Sequence, residues 1–248
     1  MSEHQNIYDD PVFFAGYKKL RDGATSLNES LEQPALWSLI GASLQGKSVL
    51  DLGCGFGNFA RQARHAGAKA VLGIDVSENM LAEARIRTND AAIEYCRASI
   101  EELVLEQRTF DLVVSSLMLH YVKDYETAVG KIARYLRPGG RFVFSVEHPI
   151  FTARSEQDWV RNQSGTELYW PVDNYRTEGE RRTTWFVDGV VKFHRTVETY
   201  VNVTLDAGFQ LQRLLEPAPA PQLQSSTEND LQRRRPPFLV IAACRTAT

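Results

Sequence analysis

Between residues 47 and 147, short apolar runs alternate with amphipathic stretches. KSVLDL (47–52) is an apolar run halted by glycine, and 58–65 reads as a helix ended by Gly67. AVLGIDV (70–76) is a second strand. The helix after it runs from Ser77 to Thr88, with Ser77 as N-cap and Glu78 in the first turn, where an anion suits the helix dipole. AIEYCRA (92–98), FDLVVSS (110–116) and RFVFSVE (141–147) supply three more strands. The run at 110–116 has no polar alternation, as expected of a strand buried on both faces. A helix from Asp124 to Leu136, closed by Arg137-Pro138-Gly139-Gly140, separates the last two strands. Strands alternating with helices predict an α/β fold with a doubly wound, mostly parallel sheet. Ligands of such sheets sit beyond the carboxyl ends of the strands, so the residues just after each strand carry the chemistry.

Past Pro149 the alternation lapses. Residues 150–182 are aromatic and charged, with weak periodicity. TTWFVDGVVKFHRT (183–196) sets Asp188-Gly189 between two apolar runs, the signal of a hairpin with a type I′ turn. Residues from Thr196 to Asp206 return to helix, stopped by Gly208, and 209–217 is a strand. PAPAPQ (217–222) and SSTENDLQRRRPP read as loop, and 237–245 is the last strand. At the other end, Asp10-Pro11 opens a helix whose stripe of Phe13, Phe14, Tyr17 and Leu20 is expected to pack across the mouth of the ligand cleft. The organisation predicted is a helical lid (1–35), a ligand-binding core (36–149), an insertion that caps the substrate (150–195) and the rest of the sheet (196–248).

Composition narrows the function classes. The 248 residues are 43% apolar and 24% charged, ordinary globular values. A net charge of −3 argues against a protein held to nucleic acid by its phosphates. Three scattered cysteines, Cys54, Cys96 and Cys244, make neither a disulfide framework nor a zinc site, so no metal is expected. With no apolar run of about 18 residues and a polar, acidic start, the expectation is a cytoplasmic protein without a membrane span.

The decisive segment is VLDLGCGFGNFA (49–60), with Gly53, Gly55 and Gly57 between a strand and a helix. Glycine allows φ > 0 and close approach of backbone N–H groups to a ligand. A dinucleotide fingerprint needs glycine at 58, where Asn58 stands, and a P-loop's Gly-Lys-Ser/Thr is absent. Asp51 would repel a pyrophosphate and suits a cation. Asp75, ending the second strand, can accept both hydroxyls of a ribose. A ribose with a cationic group and no phosphate describes S-adenosylmethionine.

The chain resembles the class I S-adenosylmethionine-dependent methyltransferases, in the small-molecule subgroup that includes the ubiquinone/menaquinone-biosynthesis enzymes. VLDLGCGFG, GIDVSENML (73–81), RASIEEL (97–103), FDLVVSSLMLHYVKD (110–124) and LRPGGRFVFSVEHP (136–149) match that family's motifs in order. YDDPVFFAGYKKLR and HRTVETYVNVTLDAGF extend the likeness over most of the chain. The resemblance implies a Rossmann-like, seven-stranded sheet with an antiparallel last strand and a hairpin-bearing insertion after strand five. It implies Asp51 near the cofactor's amino group, Gly53, Cys54 and Gly55 under the methionine portion, Gly57 among the cofactor-binding residues, and Asp75 on the ribose. It also implies Val76 and Met80 flanking the adenine, Ser99 and Ile100 at its edge, the Ser115 carbonyl near the amino group, and Tyr17 closing the cleft. Many relatives have aspartate where Ser99 stands.

Methyl transfer is an in-line displacement, and a base is needed only where the acceptor loses a proton. His148 follows strand five directly, His120 lies a few residues past strand four, and His194 ends the hairpin, so these three are the acid/base or substrate-contact candidates. Each could equally be a structural histidine bonded to backbone, and His65 and His4 read as surface groups. Trp159, Tyr169, Trp170, Tyr175, Trp185 and Phe186 read as the insertion's own core or as a lid over an apolar acceptor. Arg181-Arg182 and Arg233-Arg234-Arg235 read as solvated, with pairing to an acidic acceptor and contact with nucleic acid as their respective functional alternatives. Cys54 reads as a small residue under the cofactor rather than a nucleophile. The reaction expected is methylation of a small molecule at O, N or C. Methylation of a macromolecule, a non-catalytic binding module and a nicotinamide dehydrogenase are the competing readings.

Overall fold

The computed structural model describes residues 5–22, 26–106, 109–219 and 227–246. Two helices come first, α1 (Pro11–Asp22) and α2 (Gln33–Ile40). Then follow β1 (Ser48–Leu52), α3 (Asn58–His65), β2 (Ala70–Asp75), α4 (Glu78–Ile86), β3 (Ile93–Arg97) and β4 (Phe110–Ser116). The centre continues through α5 (Tyr125–Tyr135), β5 (Leu136–Glu147) and a single turn, α6 (Pro149–Thr152). The insertion holds β6 (Val160–Arg161), β7 (Glu167–Tyr169), β8 (Gly179–Trp185) and β9 (Val187–His194). The chain closes with α7 (Val197–Asp206), β10 (Phe209–Leu215), α8 (Thr227–Arg234) and β11 (Phe238–Arg245).

The main sheet has seven strands in the order β3-β2-β1-β4-β5-β11-β10. Its pairings are parallel except those of β11, which runs antiparallel to both neighbours. The expected topology, last strand included, is the one observed. Alternation within the buried strands builds two cores. Leu50, Leu72, Val113 and Phe144 pack with Val129 and Ile132 of α5 and Tyr200 of α7 on one face. Val49, Val71, Leu112 and Val143 pack with Leu36 of α2 and Phe59, Ala60 and Ala63 of α3 on the other. Fully burying each such Val, Leu or Phe stabilises by about 1.5–3 kcal/mol. The winding reverses between β1 and β4, and the cleft opens at their carboxyl ends.

Local signals hold where they are chemical. The side chains of Ser77, Asp124 and Thr196 accept from the amides of Met80, Thr127 and Thr199, capping α4, α5 and α7. Three expectations need correction. The β8–β9 hairpin reverses at Phe186 (φ 59°) rather than at Asp188-Gly189, which fall in the irregular start of β9 with Gly189 at φ 78°. Arg137-Pro138-Gly139-Gly140 is a bulge within β5, because Phe110 pairs with Leu136 and Leu112 with Arg141. Residues 227–234 are helical where loop was expected, and the helix brings Arg234 and Arg235 onto the insertion's aromatic rings. Residues 217–219 carry no regular structure, and 220–226, like His4, lie outside the described residues.

Candidate active site

The bend after β1 is held open by backbone geometry. Gly53 (φ 73°) and Cys54 donate their amides to the Ile74 carbonyl at 2.8 and 3.0 Å, tying the bend to β2. A Cβ at Gly53 would meet Met118 Cβ at 2.6 Å, and one at Gly57 would lie 2.0 Å from Tyr95 Oη. A Cβ at Gly55 (φ 50°) would meet nothing within 4 Å. Gly55 therefore faces open space, in a cavity of about 630 Å³ that also takes in Gly53, Cys54, Asp51 and Asp75. Gly57 is not part of the lining; it is a packing glycine at the N-cap of α3.

Two carboxyl groups share this end. Asp51 is 1% exposed, and its Oδ2 has no hydrogen-bond partner among the described residues. Burial, reinforced by the neighbouring Asp75, pushes its carboxyl up to about 8. Asp75 accepts from Gly55 N at 2.9 Å and Ser77 N at 3.0 Å, but burial outweighs these bonds and holds it at about 6. A carboxylate has about four lone-pair sites, so Asp75 keeps capacity for further donors. An orphaned buried carboxyl oxygen beside an open glycine fits a ligand with both cationic and hydroxyl groups. Tyr17, Val76, Met80, Ser99 and Ile100 line the same cavity. The Ser99 hydroxyl already accepts from Glu102 N at 3.1 Å. Ser115 is fully buried, its hydroxyl has no hydrogen-bond partner among the described residues, and it is absent from the lining; its neighbour Ser116 lines the wall instead. Burial raises the Cys54 thiol well above its ordinary value, which disfavours a thiolate nucleophile.

The N-terminal segment is fastened to this end by contacts that no local pattern announces. Asp9 accepts from the Ser77 hydroxyl and from Asn79 N at 3.1 Å, seating a carboxylate on the first turn of α4. Glu32, fully buried in a π-turn (Asn28–Glu32) before α2, accepts from Ser116, Ser145, Asn28 and Gln33. Ser145 in turn accepts the amide of Leu117 on both its carbonyl and its hydroxyl, each at 3.1 Å. Leu117 sits at φ 53°, a conformation that costs a bulky residue about 1–3 kcal/mol. Glu32 and Ser145 hold that strained residue where β4 leaves the sheet, with Leu117 and Met118 both on the cavity wall.

At the other end the cavity meets His120, Tyr121, Glu147, Gln157, Lys192 and Trp185. Lys192 is 2% exposed and donates to Glu147 Oε1 at 2.7 Å and to Gln157 Oε1 at 3.3 Å. The hydroxyls of Tyr8 and Tyr121 share a hydrogen bond. His120 is pushed down to about 4, chiefly by burial, and Nδ1 accepts from Glu147 N at 3.4 Å. Its neutral ring therefore carries the proton on Nε2.

The other two candidate histidines, His148 and His194, are not part of the lining. His148 caps α6 through Nδ1, which accepts from Ile150 N at 3.1 Å, and Nε2 donates to Glu216 at 2.8 Å. His194 donates from Nε2 to the Tyr175 carbonyl at 2.8 Å and accepts at Nδ1 from the Thr152 hydroxyl at 2.8 Å. Both rings are buried with both nitrogens committed, and burial pulls both down.

Of the insertion's aromatic residues, Trp185 lines the cavity and meets Phe13 and Tyr17 of α1 edge-on, at 5.2 and 5.9 Å. Trp159 and Trp170, with Phe151 of the cavity wall, surround Arg235, so that residue is a buried cation rather than a solvated one. Tyr175 packs on His194, and Tyr169 is exposed. Arg181 is tied to the carbonyls of Ala153 and Thr177, and Arg182 pairs with Glu180, both away from the cavity. Glu147, Lys192, Glu32 and Asp9 are the polar residues sequence reasoning missed. Glu147, last of its strand, was the one that position could have flagged.

Comparison with known proteins agrees with this geometry. Residues 50–144 match the family described as "Methyltransferase domain". An S-adenosylmethionine-dependent methyltransferase from Mesorhizobium loti is 43% identical, with a TM-score of 0.80 over 86% of this chain and 97% of that one. A crystal structure described as a "putative S-adenosylmethionine dependent methyltransferase" from Listeria monocytogenes is 41% identical, with a TM-score of 0.82 over 87% of this chain and 96% of that one. A ubiquinone biosynthesis O-methyltransferase from Aromatoleum aromaticum is 38% identical over 120 residues, 47% of this chain and 51% of that one, so the match spans about half of that relative. The chain belongs to the class I S-adenosylmethionine-dependent methyltransferases, and its cofactor is S-adenosylmethionine.

Proposed function

We propose that the enzyme methylates a small molecule held in the same cavity as the cofactor. One observation carries this reading: the glycine bend with Asp51 and Asp75 and the cluster around His120, Glu147 and Lys192 belong to one space of about 630 Å³. That volume lies in the range of small-ligand sites, roughly 300–1,000 Å³. Its roof is made by α1 and the β8–β9 hairpin, which meet through Phe13, Tyr17, Trp185 and Phe186. On this reading residues 1–35 and 150–195 act as lid and cap, over a core of 36–149 completed by 196–248.

When bound, the cofactor supplies a methyl group already activated on a sulfonium. The residues that hold it are Asp51 and Asp75, with Gly53, Cys54 and Gly55 beneath and Tyr17, Val76, Met80, Ser99 and Ile100 around it. Asp51 faces the cofactor's positive charge, and Asp75 takes the ribose hydroxyls. The protein's share of the chemistry is alignment and exclusion of water, worth roughly 7–11 kcal/mol when orientation is complete. His120 contributes a hydrogen bond from Nε2 rather than a base, because its free nitrogen carries the proton. The net charge of −3 weighs against nucleic acid as acceptor. The half-length likeness to a ubiquinone biosynthesis O-methyltransferase supports a small acceptor.

Incubation with methyl-labelled S-adenosylmethionine and an array of phenols, amines, carboxylic acids and quinone precursors tests the reading. Label in a small-molecule product, matched by S-adenosylhomocysteine, is expected. Label only in protein or nucleic acid of an extract, or cofactor binding with no transfer, would contradict it.

A further inference from the structure

Three cations in this part of the molecule are buried, and of these Lys192 lines the cavity while Arg195 and Arg235 are not part of the lining. Lys192, Arg195 and Arg235 are 2%, 7% and 7% exposed. Glu147 is the one carboxylate hydrogen-bonded to any of the three among the described residues, and it bonds Lys192. Arg195 donates to the carbonyls of Val122 and Lys123. Arg235 lies 4.1 Å from the Trp170 ring centre and 4.6 Å from that of Phe151, and its Nε has no hydrogen-bond partner among the described residues. Phe151 itself lines the cavity. Glu156, also on the wall, pairs with Arg154 at 3.3 Å. Buried cations are ordinarily matched by anions, and of the three Lys192 is the one that presents its charge to the cavity.

Hydrogen-bond donors point to where such an anion belongs. Two of the three ammonium protons of Lys192 are used, by Glu147 and Gln157, and the third has no partner among the described residues. The head of Lys192 lies among Glu147, Gln157 and Trp185, which all line the cavity, with Nζ 5.4 Å from the Trp185 ring centre. His120, on the same wall, presents Nε2–H without a partner among the described residues. These unspent donors stand by the carboxyl ends of β4 and β5, where Glu147 contacts both residues, while the carboxyls of Asp51 and Asp75 stand at those of β1 and β2.

We infer that the methyl acceptor is a small organic acid, whose carboxylate docks between Lys192 and His120. This rests on the small-molecule reading above and names the substrate class for the same site. Glu147 keeps Lys192 in place before the acid arrives, with the Trp185 ring facing its ammonium head from the roof. The distribution of charge thus directs the two ligands to opposite ends, the cationic cofactor to the aspartates and the anionic acceptor to the lysine.

The test is turnover of matched pairs. Hydroxy- and aminobenzoates and aliphatic hydroxy acids are compared with their primary amides, using labelled S-adenosylmethionine. Methylation confined to the acids is expected. Lys192→Met should lower kcat/KM for the acid roughly 10- to 100-fold, the size of one charge-assisted hydrogen bond, and chiefly through KM. Lys192→Arg should recover part of it. Because Lys192→Met strands Glu147 in the interior, the neutral pair Lys192→Met with Glu147→Gln is measured beside it, and the same loss for acids is expected there. Calorimetry with S-adenosylhomocysteine should give the same affinity in all variants. Amides methylated as well as acids, no acid methylated or bound while S-adenosylhomocysteine binds, or an unchanged KM in the neutral double variant would overturn the inference and leave the cofactor site standing. Failure of every small molecule together with labelling of macromolecules would instead sink the small-molecule reading beneath it.

Discussion

Asp51 is the residue at which stability and function pull apart. Its carboxyl is raised to about 8 and that of Asp75 to about 6, both mainly by burial. In the unfolded chain both ionise near the ordinary value of about 3.9. From about pH 4 to about 8 the folded protein therefore holds protons that the unfolded chain has released, and stability falls as pH rises through that window. Cofactor binding has the opposite sign, because a cationic ligand prefers the ionised pair. Affinity for S-adenosylmethionine should rise from pH 6 to 8.5, with proton release seen as a dependence of the binding heat on the buffer's ionisation enthalpy. Asp51→Asn should raise the Tm of the cofactor-free protein at pH 8, by about 2–4 °C for each kcal/mol of charge burial relieved, while weakening cofactor binding. A lower Tm, or an unchanged affinity, would show that Asp51 is not held as described. Both aspartates were legible in the sequence because Asp75 ends β2 and Asp51 stands one residue before the end of β1, at the ligand side of the sheet. Glu32 was not, since its partners Ser116 and Ser145 lie 84 and 113 residues away.

At the scale of the element, the three glycines of the bend do different work although the sequence writes them alike. Gly55→Ala puts a methyl group into open space in the cavity, and Gly57→Ala drives one against Tyr95. Both sit at positive φ, so each substitution adds backbone strain of about 1 kcal/mol or more. Gly57→Ala should cost a further 1–3 kcal/mol or so of stability through overpacking. Gly55→Ala should lose more in cofactor affinity than in Tm. Thermal melts with and without S-adenosylhomocysteine separate the two, and equal effects on melting and affinity would refute the distinction. The same contrast explains which elements could be read in advance. The caps of α4, α5 and α7 are decided within four residues, and the sequence names them. The hairpin turn moved from Asp188-Gly189 to Phe186 although the local signal was strong. The tip is decided by tertiary contact, with the Phe186 ring against Gly16 of α1, where a Cβ would lie 2.7 Å away. Likewise α8, rich in charge and poor in apolar residues, is followed by Arg235, whose aromatic partners lie more than 60 residues back.

For the molecule as a whole, the sheet order and its two cores follow from strand alternation and right-handed crossovers, which is why residues 45–150 could be read almost strand by strand. The acceptor end could not, because Glu147 of β5, Lys192 of β9, His120 after β4 and Gln157 of the insertion meet only after the sheet is wound and capped. Of the three histidines chosen for their places after strands, one reaches the cavity. His148 spends its ring nitrogens on α6 and Glu216, and His194 on α6 and the insertion, so position along the chain looked the same but the neighbours differ. The central claim is that the bend after β1, with one carboxyl from its own strand and one from β2, holds a cationic nucleoside and no diphosphate. Calorimetric titration of S-adenosylmethionine into the wild type and Asp75→Ala, with NADH titrated in parallel, tests it most directly. The account predicts one site in the wild type, a loss of roughly tenfold or more in Asp75→Ala, and no heat from NADH. Equal affinity in the two proteins, or tight NADH binding that S-adenosylmethionine displaces, would contradict it.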